Sequence, residues 1–267
     1  MFYFRIYIGI LFFLFGITVG SFLNVLIYRI PKKEDFVKTR SHCMSCGYQL
    51  EWYDLIPLFS WLTLRGKCRK CKSKISAQYP LIEALNGTLW LVTYLLYDSS
   101  ITTLLYCGLI SSLIALSVID FRTYEIPVGF NIFILVLGTI RLIYEFILDH
   151  NSWPEYVIGL VSVSVPLLLI YYATKGRGIG GGDVKLMGAA GLLLGWKLVI
   201  LAFFLGCLLG SVIHIARMKI SGESHVLAMG PYLSAGIIIA IFAGERMISA
   251  YLGYLDGVLA SYIGFVF

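Results

Sequence analysis

The chain has 267 residues, 59% of them hydrophobic and 13% charged, with a mean hydropathy of +0.85. Most of it cannot be the surface of a soluble globule, and the bilayer is its solvent. The net charge of +6 is concentrated in one segment, Arg29 to Lys74, which holds 11 of the 21 basic residues and four acids. No DNA- or RNA-binding motif accompanies that charge, so it reads as a cytoplasmic loop obeying the positive-inside rule, and nucleic acid is not an expected partner.

In chain order, the first apolar run, residues 5–28, is too long for a signal peptide and lacks a small-residue cleavage site, so it is expected to remain as a span. Further runs follow near 80–97, 101–119, 130–148, 156–174, 184–195, 198–216 and 227–244. That gives an all-α polytopic membrane protein with about eight transmembrane helices, the sixth short. The last stretch, 247–267, contains Asp256 and several glycines and fits a ninth span, a re-entrant segment or an interfacial helix.

Segments 29–79, 121–129, 175–183 and 217–226 carry the basic residues and are assigned to the cytoplasm, whereas the turns at Asp98, at Asp149 and Glu155, and at Lys197 lie opposite. Arg5 argues mildly against the resulting outside N-terminus. Small residues at 188–191, with Gly206 and Gly210, are expected where helix backbones approach closely. The domain division expected is 1–28 as first span, 29–79 as a small cytoplasmic zinc-ribbon-like loop, and 80–267 as the remaining membrane domain.

Inside the basic loop, Cys43-Met-Ser-Cys46 and Cys68-Arg-Lys-Cys71 are two CxxC pairs separated by 21 residues. Two such turns complete a tetrahedral four-sulfur shell with no open position, which points to structural zinc. The competing reading, a pair of disulfides, conflicts with a cytoplasmic location. His42 reads as a solvated neighbour, and Cys107 and Cys207 as packing residues within spans.

Two carboxylates stand at ends of apolar helices: Asp120, closing the third span, and Asp183, opening the sixth after a glycine run at 176, 178, 180, 181 and 182. An ionisable group there costs about 2.5 to 3.5 kcal/mol on insertion scales, so each is a functional candidate. Two carboxylates sharing one proton supply a general base for water and an acid for a scissile carbonyl, the chemistry of an aspartyl protease. The plainer readings are helix capping, for which Asp183 suits an N-cap, or pairing with Arg122 or Lys185. Asp120 at a C-terminal helix end is poorly explained by stability, because its charge opposes the helix dipole. The glycine run is expected to supply positive φ and room for an extended substrate. Its Gly176-x-Gly178-x-x-Gly181 pattern matches a dinucleotide fingerprint only weakly, since no strand precedes it.

Taken in order, these residues resemble a type IV prepilin peptidase. The elements are Gly20-Ser21-Phe22-Leu23-Asn24-Val25, Tyr28-Arg29-Ile30-Pro31, the paired CxxC loop, Tyr79-Pro80-Leu81-Ile82-Glu83, Asp120 with Ile126-Pro127, and Gly180-x-Gly182-Asp183-Val184-Lys185-Leu186. The resemblance implies a bifunctional enzyme of the cytoplasmic (inner) membrane. It would remove a short basic leader from type IV prepilins or pseudopilins at the cytoplasmic face, then N-methylate the new terminus with S-adenosylmethionine. It makes Asp120 and Asp183 catalytic, assigns Gly180, Gly182, Lys185 and Glu83 to substrate or cofactor, and Cys43, Cys46, Cys68 and Cys71 to zinc. Gly20 and the basic loop are further candidates for the methyl-transfer half, and Gly230-Pro231-Tyr232 for the substrate cleft. Two other classes compete: a transporter using both aspartates as an ion relay, and a zinc-ribbon adaptor without catalysis. The sequence carries no signal for oligomeric state.

Overall fold

The computed structural model describes residues 2–148, 152–221 and 227–263. Its regular structure is helical throughout, with two isolated antiparallel bridges in the basic loop, His42 to Gln49 and Lys67 to Lys74. The chain divides into two compact units, Met1–Leu137 and Gly138–Phe267. Six helical stretches among the described residues are long and apolar enough to cross a membrane: residues 3–29, 101–123, 128–148, 153–173, 196–219 and 230–255.

The first unit is built on α1 (Phe2–Arg29), α3 (Gln78–Tyr97), α4 (Ile101–Thr123) and the first half of α5 (Val128–Leu148), with the short α2 (Phe59–Thr63) in the loop. Helix α3 matches the second expected span but is less apolar than the six, because it buries Glu83 and Asn86. It packs along α1 through glycine: a Cβ at Gly16 would lie 2.7 Å from the Cα of Gly87, and one at Gly20 would lie 2.8 Å from the Cα of Glu83. Asn86 locks the seam, its Nδ2 donating to the Gly16 carbonyl at 2.7 Å while Ser111 of α4 donates to its Oδ1 at 2.9 Å. In a dry interior such side-chain bonds replace the missing hydrophobic drive between helices. Arg5 at the start of α1 pairs with Asp98 just past α3 at 2.9 Å, so the residue that argued against an outside N-terminus is neutralised there.

The second unit comprises the rest of α5, α6 (Trp153–Ser162), α7 (Ser164–Ala173), α8 (Gly181–Leu194), α9 (Trp196–Ser221) and α10 (Gly230–Ile263). Helices α6 and α7 are the single expected span near 156–174, broken at Val163. Pro166 has no N–H for the Ser162 carbonyl, and its ring crowds that turn. Helix α8 is 14 residues long, roughly 21 Å, short of the ~30 Å hydrocarbon thickness. Apart from Lys185 it is buried from Val184 to Leu194, so it forms the interior of this unit.

Glycines again set the crossings. A Cβ on Gly191 would stand 2.1 Å from the Gly159 carbonyl oxygen, and one on Gly236 would stand 2.2 Å from that of Ala202. The expected small-residue contacts at 188–191 and at Gly206 are therefore real helix crossings, with Gly159 and Gly236 as their partners. Gly210 makes an ordinary contact, 3.4 Å to the Tyr232 ring. Lys197 pairs with Glu155 at 3.3 Å, whereas Asp149 falls outside the described residues. Two expectations change: Arg122 lies on the last turn of α4 and Arg217 within α9, ahead of its last turn, rather than in loops, and α10 continues unbroken through residues 247–263. The last stretch, as far as it is described, extends the eighth expected span, because Gly253 lies in open space and nothing after Ala243 stops the helix before Ile263.

Candidate active site and metal centre

The basic loop is fastened by Arg29, 7% exposed at the end of α1. Its guanidinium donates to the carbonyls of Asp35 at 3.1 Å and Thr39 at 2.7 Å. Asp35 closes a small turn by accepting from the Val37 and Lys38 N–H groups, which hold its carboxyl below the ordinary range. Beyond this clasp the two CxxC turns repeat one geometry. The Cys43 N–H donates to Tyr48 and the Gly47 N–H back to Cys43; likewise Cys68 donates to Ser73 and Lys72 back to Cys68. Gly47 and Lys72 occupy equivalent left-handed positions, at φ 68° and 61°.

The four sulfurs of Cys43, Cys46, Cys68 and Cys71 all lie within 4.8 Å of one another. Cys43 Sγ and Cys71 Sγ are 3.8 Å apart. A tetrahedron with metal–sulfur bonds of about 2.3 Å has edges of about 3.8 Å, so the spacing fits a metal ion. All six cysteines are unbridged, as the metal reading requires and the disulfide reading does not. The site is electrostatically prepared for thiolates. The Ser45 N–H, with the Cys46 N–H and Ser73 hydroxyl, pulls the Cys43 thiol down to about 6. The Tyr48 N–H favours the Cys46 thiolate, yet desolvation and hydrogen bonds with the neighbouring thiols leave it raised to about 11.

Asp120 is 4% exposed, in the last turn of α4 within the first unit. The helix ends at Tyr124, whose left-handed backbone donates its N–H to the Asp120 carbonyl at 2.8 Å. Arg122 points its guanidinium at Gln78 Oε1.

Asp183 belongs to the second unit, in the first turn of α8 and half-buried. It is not the N-cap expected of it: Gly180 is, with extended φ −71° and ψ 138°, leaving Asp183 three residues in, where the helix dipole favours a carboxylate. A Cβ on Gly180 would meet Asp183 Oδ2 at 2.9 Å. Of the five glycines in the run only Gly176 uses positive φ, 75°, so Gly180 is required for lateral room and not for backbone freedom. Gly182 sits on the first turn beside Asp183, and Lys185 is exposed.

Glu83 is 6% exposed and accepts the Leu58 N–H at 2.8 Å, holding a residue whose φ is 63°. It thereby joins α3 to the loop. Sequence reasoning gave no role to Arg29 or Asn24, although a polar or basic residue inside or ending an apolar run is the signal that marks both.

Residues 14–97 match the bacterial peptidase A24 N-terminal domain, and residues 107–215 match the type IV leader peptidase family. A prepilin leader peptidase/N-methyltransferase of Pseudomonas putida is 31% identical, covering 87% of this chain and 89% of its own length. One from Aeromonas salmonicida is 30% identical, over 90% of this chain and 92% of its own. One from Bacillus subtilis is 32% identical, over 90% and 96%. No solved structure matches the chain. Both halves of the sequence and these full-length relatives agree, and the chain belongs to the type IV leader peptidase family.

Proposed function

We infer that this chain is a prepilin leader peptidase and N-methyltransferase of the cytoplasmic membrane, with Asp120 and Asp183 as its catalytic carboxylates. The observation that carries the reading is Asp120: a carboxylate 4% exposed in the last turn of an apolar helix, where its charge opposes the dipole. Stability alone does not select such a residue. The family membership gives it a task, because leader removal is peptide hydrolysis and Asp183, on the first turn of α8, supplies a second carboxylate.

One aspartate, ionised, takes a proton from water as it attacks the carbonyl carbon before the mature pilin segment. The other, protonated, donates to the carbonyl oxygen. The tetrahedral intermediate then breaks its C–N bond as a proton passes to the leaving amine. The basic loops, and the inward ends given to α4 and α8 by loop charge, support cleavage at the cytoplasmic face, where a positively charged leader remains. Gly182 and Lys185 flank the substrate path in this reading. Functionally, 1–28 anchors the chain, 29–79 is the zinc-bound loop, and 80–267 contains the peptidase.

Zinc, held by Cys43, Cys46, Cys68 and Cys71, is structural: four sulfurs fill its shell and it stabilises a loop with little apolar core. Purified protein should contain about one zinc equivalent, lost in Cys43→Ser and Cys68→Ser by elemental analysis. Because thiolates are the ligands, bound zinc should fall as pH is lowered and not as it is raised. S-adenosylmethionine supplies the methyl group for the new amine.

Gly180→Ala places a Cβ against the Asp183 carboxylate, which must swing away. Leader cleavage should drop by about a hundredfold with unchanged thermal stability, since a misplacement of about 1 Å suffices for such a loss. The whole reading is tested by incubating the purified enzyme with a prepilin and isotope-labelled S-adenosylmethionine, then weighing the product. Loss of the leader with gain of one labelled methyl is expected; an intact prepilin would overturn it.

A further inference from the structure

Between α1, α3 and the basic loop, wholly within the first unit, lies a cavity of about 360 Å³. Two of its lining residues have electronegative oxygens that the protein leaves incompletely answered. Asn24, 2% exposed, donates through Nδ2 to the carbonyls of Gly20 and Tyr79 at 3.3 and 3.1 Å. Both partners are acceptors, which fixes the orientation of the amide and leaves Oδ1 buried without a hydrogen bond. Glu83 accepts from the Leu58 N–H, yet forms no salt bridge with any cation among the described residues. The other carboxylate that is nearly buried here, Asp54, is already paired with Arg69 at 2.8 Å.

A buried carboxylate and an orphaned amide oxygen are costly unless something supplies donors and positive charge. The wall also holds Arg29, His42, Arg69 and Lys74, and the Tyr28 ring already carries the Lys32 ammonium at 3.8 Å, so Trp61 and Tyr79 are the aromatic rings left to face a cation or planar group. The volume suits a ligand of amino-acid to nucleoside size and excludes a folded partner.

We propose that this cavity binds a primary ammonium group, seated between Glu83 and Asn24 Oδ1, and that it is the methyl-transfer subsite of the enzyme. The proposal rests on the methyltransferase reading above. That reaction brings two such groups: the amino-acid end of the methyl donor and the α-amine of the trimmed pilin. Both offer N–H donors and a positive charge; the methyl donor adds an α-carboxylate, for which Arg29 and Lys74 of the same lining are the cationic partners, and an adenine ring.

The test measures equilibrium binding to the full-length protein in detergent. S-adenosylmethionine is compared with its analogue lacking the α-amino group, and a peptide of the mature pilin N-terminus with its N-acetylated form. Each pair is titrated into wild type and Glu83→Gln, which keeps an acceptor for Leu58 but loses the charge. Zinc content and melting temperature verify the fold. Wild type should prefer the amino form of one pair at least tenfold, and the preference should vanish in Glu83→Gln. The pair that behaves so identifies the occupant. Wild type that does not discriminate within either pair, or discrimination that survives in Glu83→Gln, overturns the proposal and leaves Glu83 as a fastener for Leu58. Wild type that neither binds the donor nor methylates a trimmed substrate refutes the methyltransferase reading itself.

Discussion

Asp120→Asn and Asp183→Asn each lower leader cleavage by about a thousandfold or more while leaving a folded, zinc-loaded protein. Asn preserves shape and removes the proton chemistry, so the loss is specific to acid–base work. The two variants should part company in stability. Asp120 sits at the unfavourable end of the α4 dipole for any negative charge, so Asp120→Asn is expected not to lower the melting temperature. Asp183 lies where the α8 dipole welcomes a negative charge, so Asp183→Asn should lose about 0.3 to 1 kcal/mol. Thermal denaturation in detergent beside a cleavage assay reads both effects. Substantial residual cleavage in either variant would refute the dyad, and a large drop in stability for Asp120→Asn would make it a structural residue.

Gly191→Ala is expected to unfold the second unit, a stability effect among the largest that the described glycines offer. A Cβ at this position would meet a backbone oxygen at 2.1 Å, and Gly159 opposite is equally constrained at 2.2 Å. Neither backbone can rotate away as a side chain would, so α6 and α8 must separate and the buried face of α8 loses its packing. Gly188→Ala, three residues earlier, meets nothing closer than the Ser164 Cβ at 3.3 Å, a side-chain atom, and should be tolerated. Size-exclusion profiles and melting curves of the two variants distinguish a specific crossing from general intolerance to bulk. Equal behaviour would defeat the argument.

The helical membrane architecture was legible because apolar runs of spanning length leave few alternatives, and Cys43, Cys46, Cys68 and Cys71 were legible because their spacing has few other uses. What stayed hidden depended on neighbours distant in sequence. Asp183 looked like a cap because aspartate caps well; only the extended backbone at Gly180 shows that the cap is a residue without a side chain. The need for Gly180 arises from a carboxylate oxygen folding back on it, which no backbone preference reveals. Gly159 and Gly236 passed unnoticed because a lone glycine in an apolar run looks the same whether or not another helix presses against it. Arg29 reads as one more positive charge until its carbonyl partners, six and ten residues away, make it a clasp.

The seam between α1 and α3 has a further consequence for the segment it brackets. Residues 30–77 begin where α1 stops and return where α3 starts, and the Asn24 side chain bonds the Tyr79 carbonyl across that gap. The two ends are therefore pinned side by side before the intervening chain adopts any shape, so the entropy of joining them is already spent and grows only slowly with length. Such a segment behaves as a graft on a fixed stem, in which a change of length away from the zinc cysteines and the cavity wall costs little while the stem stays closed.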